Sequence, residues 1–445
     1  MADNIQTFFY SQRAGIDDKP TERLVEFMNG AQKTLDCAIY DLKHLAVLRA
    51  LKAALDRGVK LRIAYDGGRT KSVTGGPQLD PKPAGTAAAI DGAGLTSVAT
   101  PVHVRGSHLM HSKYAVRDGT ALWTGSGNWT HGGLELQDNN YVEIASVELS
   151  RTYEENFAEL LREHAAEHRA PTAAAKASLS LRPATAIPVG AISVTPYFSG
   201  GGTEQIETYI TERLKTAKKV RVIAMLVSDP GILQSLYELH KTGVDIKGVL
   251  DPNEMKQVMF PPKGQSHTSP EQFWFAQPHQ GFVAAPSHAF VKTDDNNFMH
   301  NKVLIIDDDV VVTGSYNFSE NAESNDENTL VIESEEVAAK YTAYFDKIFL
   351  HEARRPPPAS ALSLTSKSAA PTRAGNPRVR TTCDSRSGPS GSRVARRLIC
   401  GASAPRHTAE CSTLATSWAR YGRTPEEGRT DARGRLAKVE NRSAH

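Results

Sequence analysis

Cysteine is scarce, at four in 445 residues. Cys37 stands alone in the body of the chain, and Cys383, Cys400 and Cys411 lie near the C-terminus without the short paired spacing of a zinc site or a disulfide framework. A reducing compartment is expected. Aromatic residues make up only 7% and the net charge is +2, so the whole-chain balance is not that of a nucleic-acid-binding polyelectrolyte. No apolar run approaches the ~20 residues that span a bilayer. The N-terminus, MADNIQTFFYSQRAG, has neither a charged leader nor an uninterrupted apolar core. The expectation is a soluble, cytoplasmic chain that starts near Met1. Neither G-x-G-x-x-G nor G-x4-G-K-[ST] occurs, which leaves a nucleotide cofactor without support.

The near-neutral total conceals a split. From Arg354 to His445 there are 18 basic and 6 acidic residues, so the rest of the chain is acidic on balance. This tail is rich in Pro, Arg, Ser, Thr, Gly and Ala, and its only aromatics are Trp418 and Tyr421. It cannot bury enough apolar surface to offset its chain entropy, and residues 354–445 are expected to be disordered.

The body contains an internal repeat. HSKYAVRDGTALWTGSGNWT (His111 to Thr130) lies without a gap on HNKVLIIDDDVVVTGSYNFS (His300 to Ser319). Upstream, Leu51 to Asp66 matches Leu236 to Asp251, which sets Gly58 on Gly243 and Asp66 on Asp251. After each motif comes an apolar stripe with the period of one helix face: Tyr153, Phe157, Leu160 and Leu161, then Tyr341, Phe345, Ile348 and Phe349. A duplicated domain follows. Strands at Ile5–Tyr10, Thr34–Tyr40 and Val59–Tyr65 alternate with helices from Pro20 and over Leu45–Leu55. The second half repeats this with strands at Ile192–Tyr197, Val220–Val227 and Val244–Leu250. Such alternation predicts an α/β sandwich in each half. The divisions are residues 1–169 and 191–353 for the two domains, with an Ala, Ser, Thr and Pro-rich linker at 170–190.

Each motif carries His-x-Lys-x4-Asp-x6-Gly-Ser-x-Asn: His111, Lys113, Asp118, Gly125, Ser126 and Asn128, then His300, Lys302, Asp307, Gly314, Ser315 and Asn317. On an extended chain a His and a Lys two positions apart share one face and can enter one cleft. The pattern suits phosphodiester chemistry. A neutral imidazole attacks phosphorus, an ammonium neutralises the non-bridging oxygens, and amide and hydroxyl donors hold the trigonal-bipyramidal state. A second imidazole can protonate the leaving oxygen and then activate water. An acid placed on the other ring nitrogen would fix the tautomer, and Asp138 and Glu327 align at one offset after their motifs. His103, His108 and His111 do not have the spacing of a tight metal site, and Asp307, Asp308 and Asp309 read as a turn between strands, so no metal is expected.

HSKYAVRD with GSGNWT and HNKVLIID with GSYNFS resemble the two HKD signatures of the phospholipase D superfamily, and the resemblance covers about Ile5 to Leu350. It implies two α/β halves that share one active site and need no metal or other cofactor. By matched position, His111 and His300 would be the nucleophile and the acid/base, with attack by His111 and a phosphohistidine intermediate. Lys113, Lys302, Asn128 and Asn317 would bind phosphate, supported by Ser126 and Ser315, and Asp138 and Glu327 would orient the imidazoles. Asp118 and Asp307 count with the catalytic set as motif members, although they are expected outside the immediate site. Gly127 faces the bulkier Tyr316 in the alignment, which predicts a pocket with unequal sides. Phospholipid is the favoured substrate, with peripheral membrane contact, because the loop Pro252–Phe290 holds Met255, Met259, Phe260, Phe273, Trp274, Phe275 and Phe282, and because an acidic body repels polyanions. A metal-independent nuclease and an inactive binding protein are the alternatives.

Overall fold

The computed structural model describes residues 4–70, 79–80, 85–103, 108–166, 183–200, 204–255, 281–289 and 296–353. The tail at 354–445, most of the linker, and Met259, Phe260, Phe273, Trp274 and Phe275 of the apolar loop lie outside the described residues.

Two eight-stranded mixed sheets have the same strand order. The first runs Ile16–Asp17, Ile5–Ser11, Asn139–Ala145, Ala121–Gly125, Lys113–Arg117, Thr34–Ile39, Lys60–Asp66, Ala99–Val102. The second runs Ile187–Val189, Ile192–Phe198, Asn328–Glu333, Val310–Gly314, Lys302–Ile306, Lys219–Ala224, Asp245–Leu250, Phe282–Ala284. In each, the last three strands are parallel and the rest pair antiparallel. Crossover helices make the parallel pairings possible, and their apolar faces supply one layer of core. Pro20–Asn29 and Leu45–Asp56 cover the first sheet, as Gln205–Leu214 and Pro230–Lys241 cover the second. Pro20 and Pro230 sit in first turns, where a missing N–H costs no helical bond. Ile187–Val189 lies inside the expected 170–190 linker. Gly190, at φ +63°, turns this short segment back onto Ile192–Phe198, so the second sheet begins earlier than composition indicated.

The other faces of the two sheets meet. Tyr153 and Phe157 of the long helix Val147–Ala166 and Tyr341 and Phe345 of Glu335–Ala353 belong to one core that holds residues of both halves. The predicted helix stripes are therefore the seam of the molecule. Phe9 meets Tyr341 edge-on at 5.0 Å and Tyr153 meets Phe198 at 5.0 Å. Such aromatic pairs add ~0.5–1.5 kcal/mol each beyond their area burial. Met255 and Phe282, the described members of the apolar loop, are both buried in the core of the second half.

Candidate active site

The two motif strands, Lys113–Arg117 and Lys302–Ile306, are central in their sheets and begin at the seam. Each histidine precedes its strand and is held by the other half. The His111 N–H donates to the Asp326 carbonyl at 2.9 Å, and the His300 N–H donates to the Asp138 carbonyl at 3.0 Å. Asp66 accepts from the Met110 N–H at 2.8 Å and Asp251 from the Met299 N–H at 2.9 Å, so a buried carboxylate at the end of a parallel strand pins the residue before each histidine. Sequence comparison aligned these two aspartates without giving them a role. Asn140 and Asn328 cross the seam: Asn140 Nδ2 donates to Asn301 Oδ1 at 2.8 Å, and Asn328 Oδ1 accepts from the Lys113 N–H at 3.1 Å.

His111, Lys113, His300 and Lys302 are all buried. Each lysine folds back so that its Nζ donates to the carbonyl of its own histidine at 2.6 Å. Ammonium groups without bulk water are costly. Burial lowers the pKa of Lys113 to about 7, against the pull of Glu327, Asp41 and Asp66. Burial and the nearby Lys113 also hold Lys302 well below its ordinary value. Burial brings His111 down to about 4 even though Glu327 opposes it, and burial together with Lys302 and Lys113 holds His300 well below its usual range. Both rings are neutral in the free protein at pH 7.

The groups behind the two rings differ. His111 Nδ1 lies 2.8 and 2.9 Å from the Glu327 carboxylate, which also accepts from Ser315 Oγ at 2.6 Å and Asn325 Nδ2 at 3.0 Å. Burial raises the Glu327 carboxyl, but His111, Lys113 and Ser315 together hold it below its ordinary value, so it is the anion. His300 Nδ1 lies 3.0 Å from Asn139 Oδ1, not from Asp138. Ser126 Oγ donates to the same Asn139 oxygen at 2.7 Å. In both rings the Nδ1 proton is taken up, leaving Nε2 as the lone-pair nitrogen.

The place behind the His300 ring expected of Asp138 is thus occupied by its neighbour. The turn after the first motif is π-helical over Gly132–Leu136, with the Gln137 N–H on the Gly132 carbonyl at 2.8 Å, whereas the matching Glu320–Ser324 turn is a 3-10 helix. The wider turn holds one more residue. Structurally Asn139 therefore falls on Glu327 and Asp138 on Asp326, one position away from the ungapped alignment. Burial pushes the Asp138 carboxyl up to about 8, against a hydrogen bond from Ser11 and the charge of Arg13.

The other motif residues are placed by their strands and turns. Asp118 and Asp307 do not join the site: they occupy the turn at the far end of each motif strand. Asp118 accepts the N–H groups of Gln32, Lys33 and Thr34, and Asp307 those of Lys218 and Lys219. Gly125 and Gly314 are required by close approach, since a Cβ would stand 2.2 Å from the carbonyl of Asn140 or Asn328. Tyr316 does not narrow the pocket. It is buried in its own half with its hydroxyl on Glu323, and the space at Gly127 is filled from the neighbouring strand by Tyr141, whose hydroxyl would lie 2.0 Å from an added Cβ. Asn128 and Asn317 follow these turns, each with a buried Oδ1 that has no hydrogen-bond partner among the described residues.

Sequence reasoning missed Tyr40. Its ring meets the His111 ring at 4.9 Å and has Lys113 Nζ 5.2 Å from its centroid. Met225 holds the matching place in the second half, where its N–H bonds the Asn301 carbonyl as that of Tyr40 bonds Ser112. The strand-end offset that aligns the Asp66 and Asp251 segments also pairs these two positions, which was the available signal. Among the described residues one group could offer three metal donors, His44, His131 and Glu135, within 4.8 Å of one another. Glu135 is already shared by both rings, and His44 Nδ1 is buried without the acceptor that orients a metal-bound imidazole.

The sequence family described as "Cardiolipin synthase, PLD-like domain" matches residues 24–161 and 210–349, one copy in each half. The chain belongs to the phospholipase D superfamily. Among curated relatives, a mitochondrial cardiolipin hydrolase of Xenopus laevis is 28% identical over 148 residues, 33% of this chain and 63% of that protein. A phospholipase D of Rickettsia bellii is 31% identical over 135 residues, 30% of this chain and 58% of that protein. The chain therefore spans less than two thirds of the length of these relatives. The phosphatidylserine synthase of Haemophilus influenzae has a similar fold, with a TM-score of 0.54 at 15% identity over 82% of this chain and 93% of that one. Among the described residues, no helix is long and apolar enough to cross a membrane.

Proposed function

We propose that the protein hydrolyses the head-group ester of phospholipids through a phosphohistidine on His111. The observation that carries the chemistry is the pair of buried imidazoles, each with its Nδ1 proton engaged, beside two buried lysines at the seam. The names of the relatives, cardiolipin hydrolase and phospholipase D, support a phospholipid as substrate.

In this reading the phosphodiester anion sits against Lys113 and Lys302, and its charge favours uptake of a proton by the site. His111 Nε2 attacks phosphorus while the P–O bond to the head group breaks, and protonated His300 gives its Nε2 proton to the departing oxygen. The carboxylate of Glu327 stabilises the positive charge that develops on the His111 ring. Water then attacks phosphorus, His300 takes its proton, the P–N bond breaks, and the phosphomonoester leaves. Tyr40, on the ring of His111, limits that side of the pocket.

The test is an assay in EDTA with phosphatidylcholine, cardiolipin, bis(p-nitrophenyl) phosphate, and single- and double-stranded DNA. Head-group release that vanishes in His111→Ala and His300→Ala, with acid-labile phosphate retained on the quenched wild type, is the expected result. Cleavage of DNA with no lipid turnover would sink the phospholipid reading, and full activity in His111→Ala would sink the assignment of the nucleophile.

A further inference from the structure

We propose that Asn139 is a positioning residue that commits His300 to proton donation, and that the π-helical turn before it keeps a neutral amide at this place. The inference rests on the phosphodiesterase reading of the site. It begins from the difference between equivalent positions, where one imidazole is backed by the Glu327 carboxylate and the other by an uncharged amide.

The direction of the Asn139 amide is set by its surroundings. Its Nδ2 donates to the Gly133 carbonyl at 2.8 Å, so Oδ1 must face His300 and Ser126. The Gly133 carbonyl also accepts from Tyr141 Oη at 2.7 Å. A carboxylate at residue 139 would set a second anionic oxygen against that carbonyl, an unpaired buried contact that costs free energy. In the second half Asn325 Nδ2 points at Glu327 Oε1, so a donor stands where the first half has an acceptor. The extra residue of the Gly132–Leu136 turn goes with this arrangement, because that turn supplies the Gly133 carbonyl.

The chemical consequence follows from proton affinity. An imidazole hydrogen-bonded to a carboxylate gains basicity and tolerates the positive charge of an N-phosphorylated ring. An imidazole hydrogen-bonded to an amide keeps its tautomer but gains little basicity, so its conjugate acid gives up the Nε2 proton more readily. His111 is thus suited to attack and His300 to protonate the leaving oxygen.

Leaving-group dependence tests this, using the full-length protein and two substrates, phosphatidylcholine with an alkoxide leaving group and bis(p-nitrophenyl) phosphate, whose leaving phenolate needs no proton. Asn139→Ala is expected to lose ~10–100-fold in kcat/KM on the lipid and less than ~3-fold in the burst of p-nitrophenolate. Glu327→Gln is expected to lose both by similar factors. Asn139→Asp, which keeps the size of the side chain, is expected to move the ionisation of His300 upward and shift the pH optimum for the lipid to higher pH. Equal losses on both substrates in Asn139→Ala, or an unmoved optimum in Asn139→Asp with intact lipid turnover, would overturn the inference while leaving the hydrolase reading standing. Failure of the wild type on every phosphodiester would instead remove that reading itself.

Discussion

If the phosphodiester sits against the two lysines as proposed, their burial should make anion binding a proton-uptake reaction. With the Lys113 pKa down to about 7 and that of Lys302 well below normal, much of the ammonium charge needed to hold a phosphodiester is absent from the free protein above neutrality. A bound monoanion favours the charged lysine and so restores the missing proton. Above the free pKa, affinity should then fall by up to about tenfold per pH unit for each proton taken up, or about 50-fold between pH 7 and pH 9 for Lys113 alone, which is half-protonated at pH 7. A dialkyl phosphate such as diethyl phosphate is a suitable probe, because it stays monoanionic across this range and its own titration does not intrude. Its competitive inhibition constant, followed from about pH 6 to about pH 9, should rise with that slope, starting near neutrality. Calorimetry in buffers of different ionisation heat should report a proton uptake that rises by about one for Lys113 from the acid to the alkaline end, in addition to the protons taken up at Lys302 and His300. Lys113→Met should bind more weakly at every pH and lose most of the slope. A flat inhibition constant with no proton uptake would refute the reasoning. It would mean that Glu327, Asp41 and Asp66 keep Lys113 charged despite its burial.

The same burial has a cost in stability. Lys113 holds its proton less tightly folded than unfolded, so the unfolded chain carries the extra proton between about pH 7 and the ordinary 10.5, and this group's contribution to stability rises with pH across that window. Lys113→Met should therefore abolish cleavage yet raise the unfolding free energy at pH 7, by an amount on the order of 2–4 kcal/mol, measurable by calorimetry. Asp118→Ala should behave in the opposite way. Three backbone N–H groups lose their acceptor, a loss of about 1–2 kcal/mol, while kcat/KM at a permissive temperature stays within about twofold of wild type.

The duplication, the layers and the buried faces of the two long helices were legible because each rests on a period that folding must obey, whereas their meeting in one shared core was not read from that period. Tyr153 with Phe157 and Tyr341 with Phe345 repeat at helix spacing, and the Val- and Ile-rich motif strands are short, apolar and bounded by turns. His111, Lys113, His300 and Lys302 were legible because two complete motifs in register have no bland origin. The partner of His300 was not legible. An ungapped offset assumes that equivalent turns hold equal numbers of residues, and the change from a 3-10 to a π turn breaks that assumption by one position, enough to exchange Asn139 for Asp138. Tyr316 misled in a related way. Bulk at an aligned position says nothing of which strand fills the space, and here Tyr141 fills from the neighbouring strand what Tyr316 fills from its own turn.

These departures from symmetry bear on how a duplicated fold can support a directed reaction. Two identical halves would give two identical imidazoles with equal claims to attack and to protonate, so part of the bound substrate would lie in the unproductive sense. The backbone keeps the symmetry where geometry needs it: Asp66 and Asp251 pin the residues before the histidines, and Asn140 and Asn328 cross the seam in opposite directions. Symmetry is broken behind the rings, by Glu327 against Asn139, and by the Tyr40 ring on His111 where the matching backbone position of the second half carries Met225. The carboxylate and the amide differ by a full charge at hydrogen-bond distance from a buried ring. In the proposed mechanism that difference is large enough to choose the nucleophile, since opposite charge at ~3 Å shifts a proton affinity by one or more pKa units. The π turn is then the local change that lets one half of the duplication acquire a different task while the frame around it stays the same.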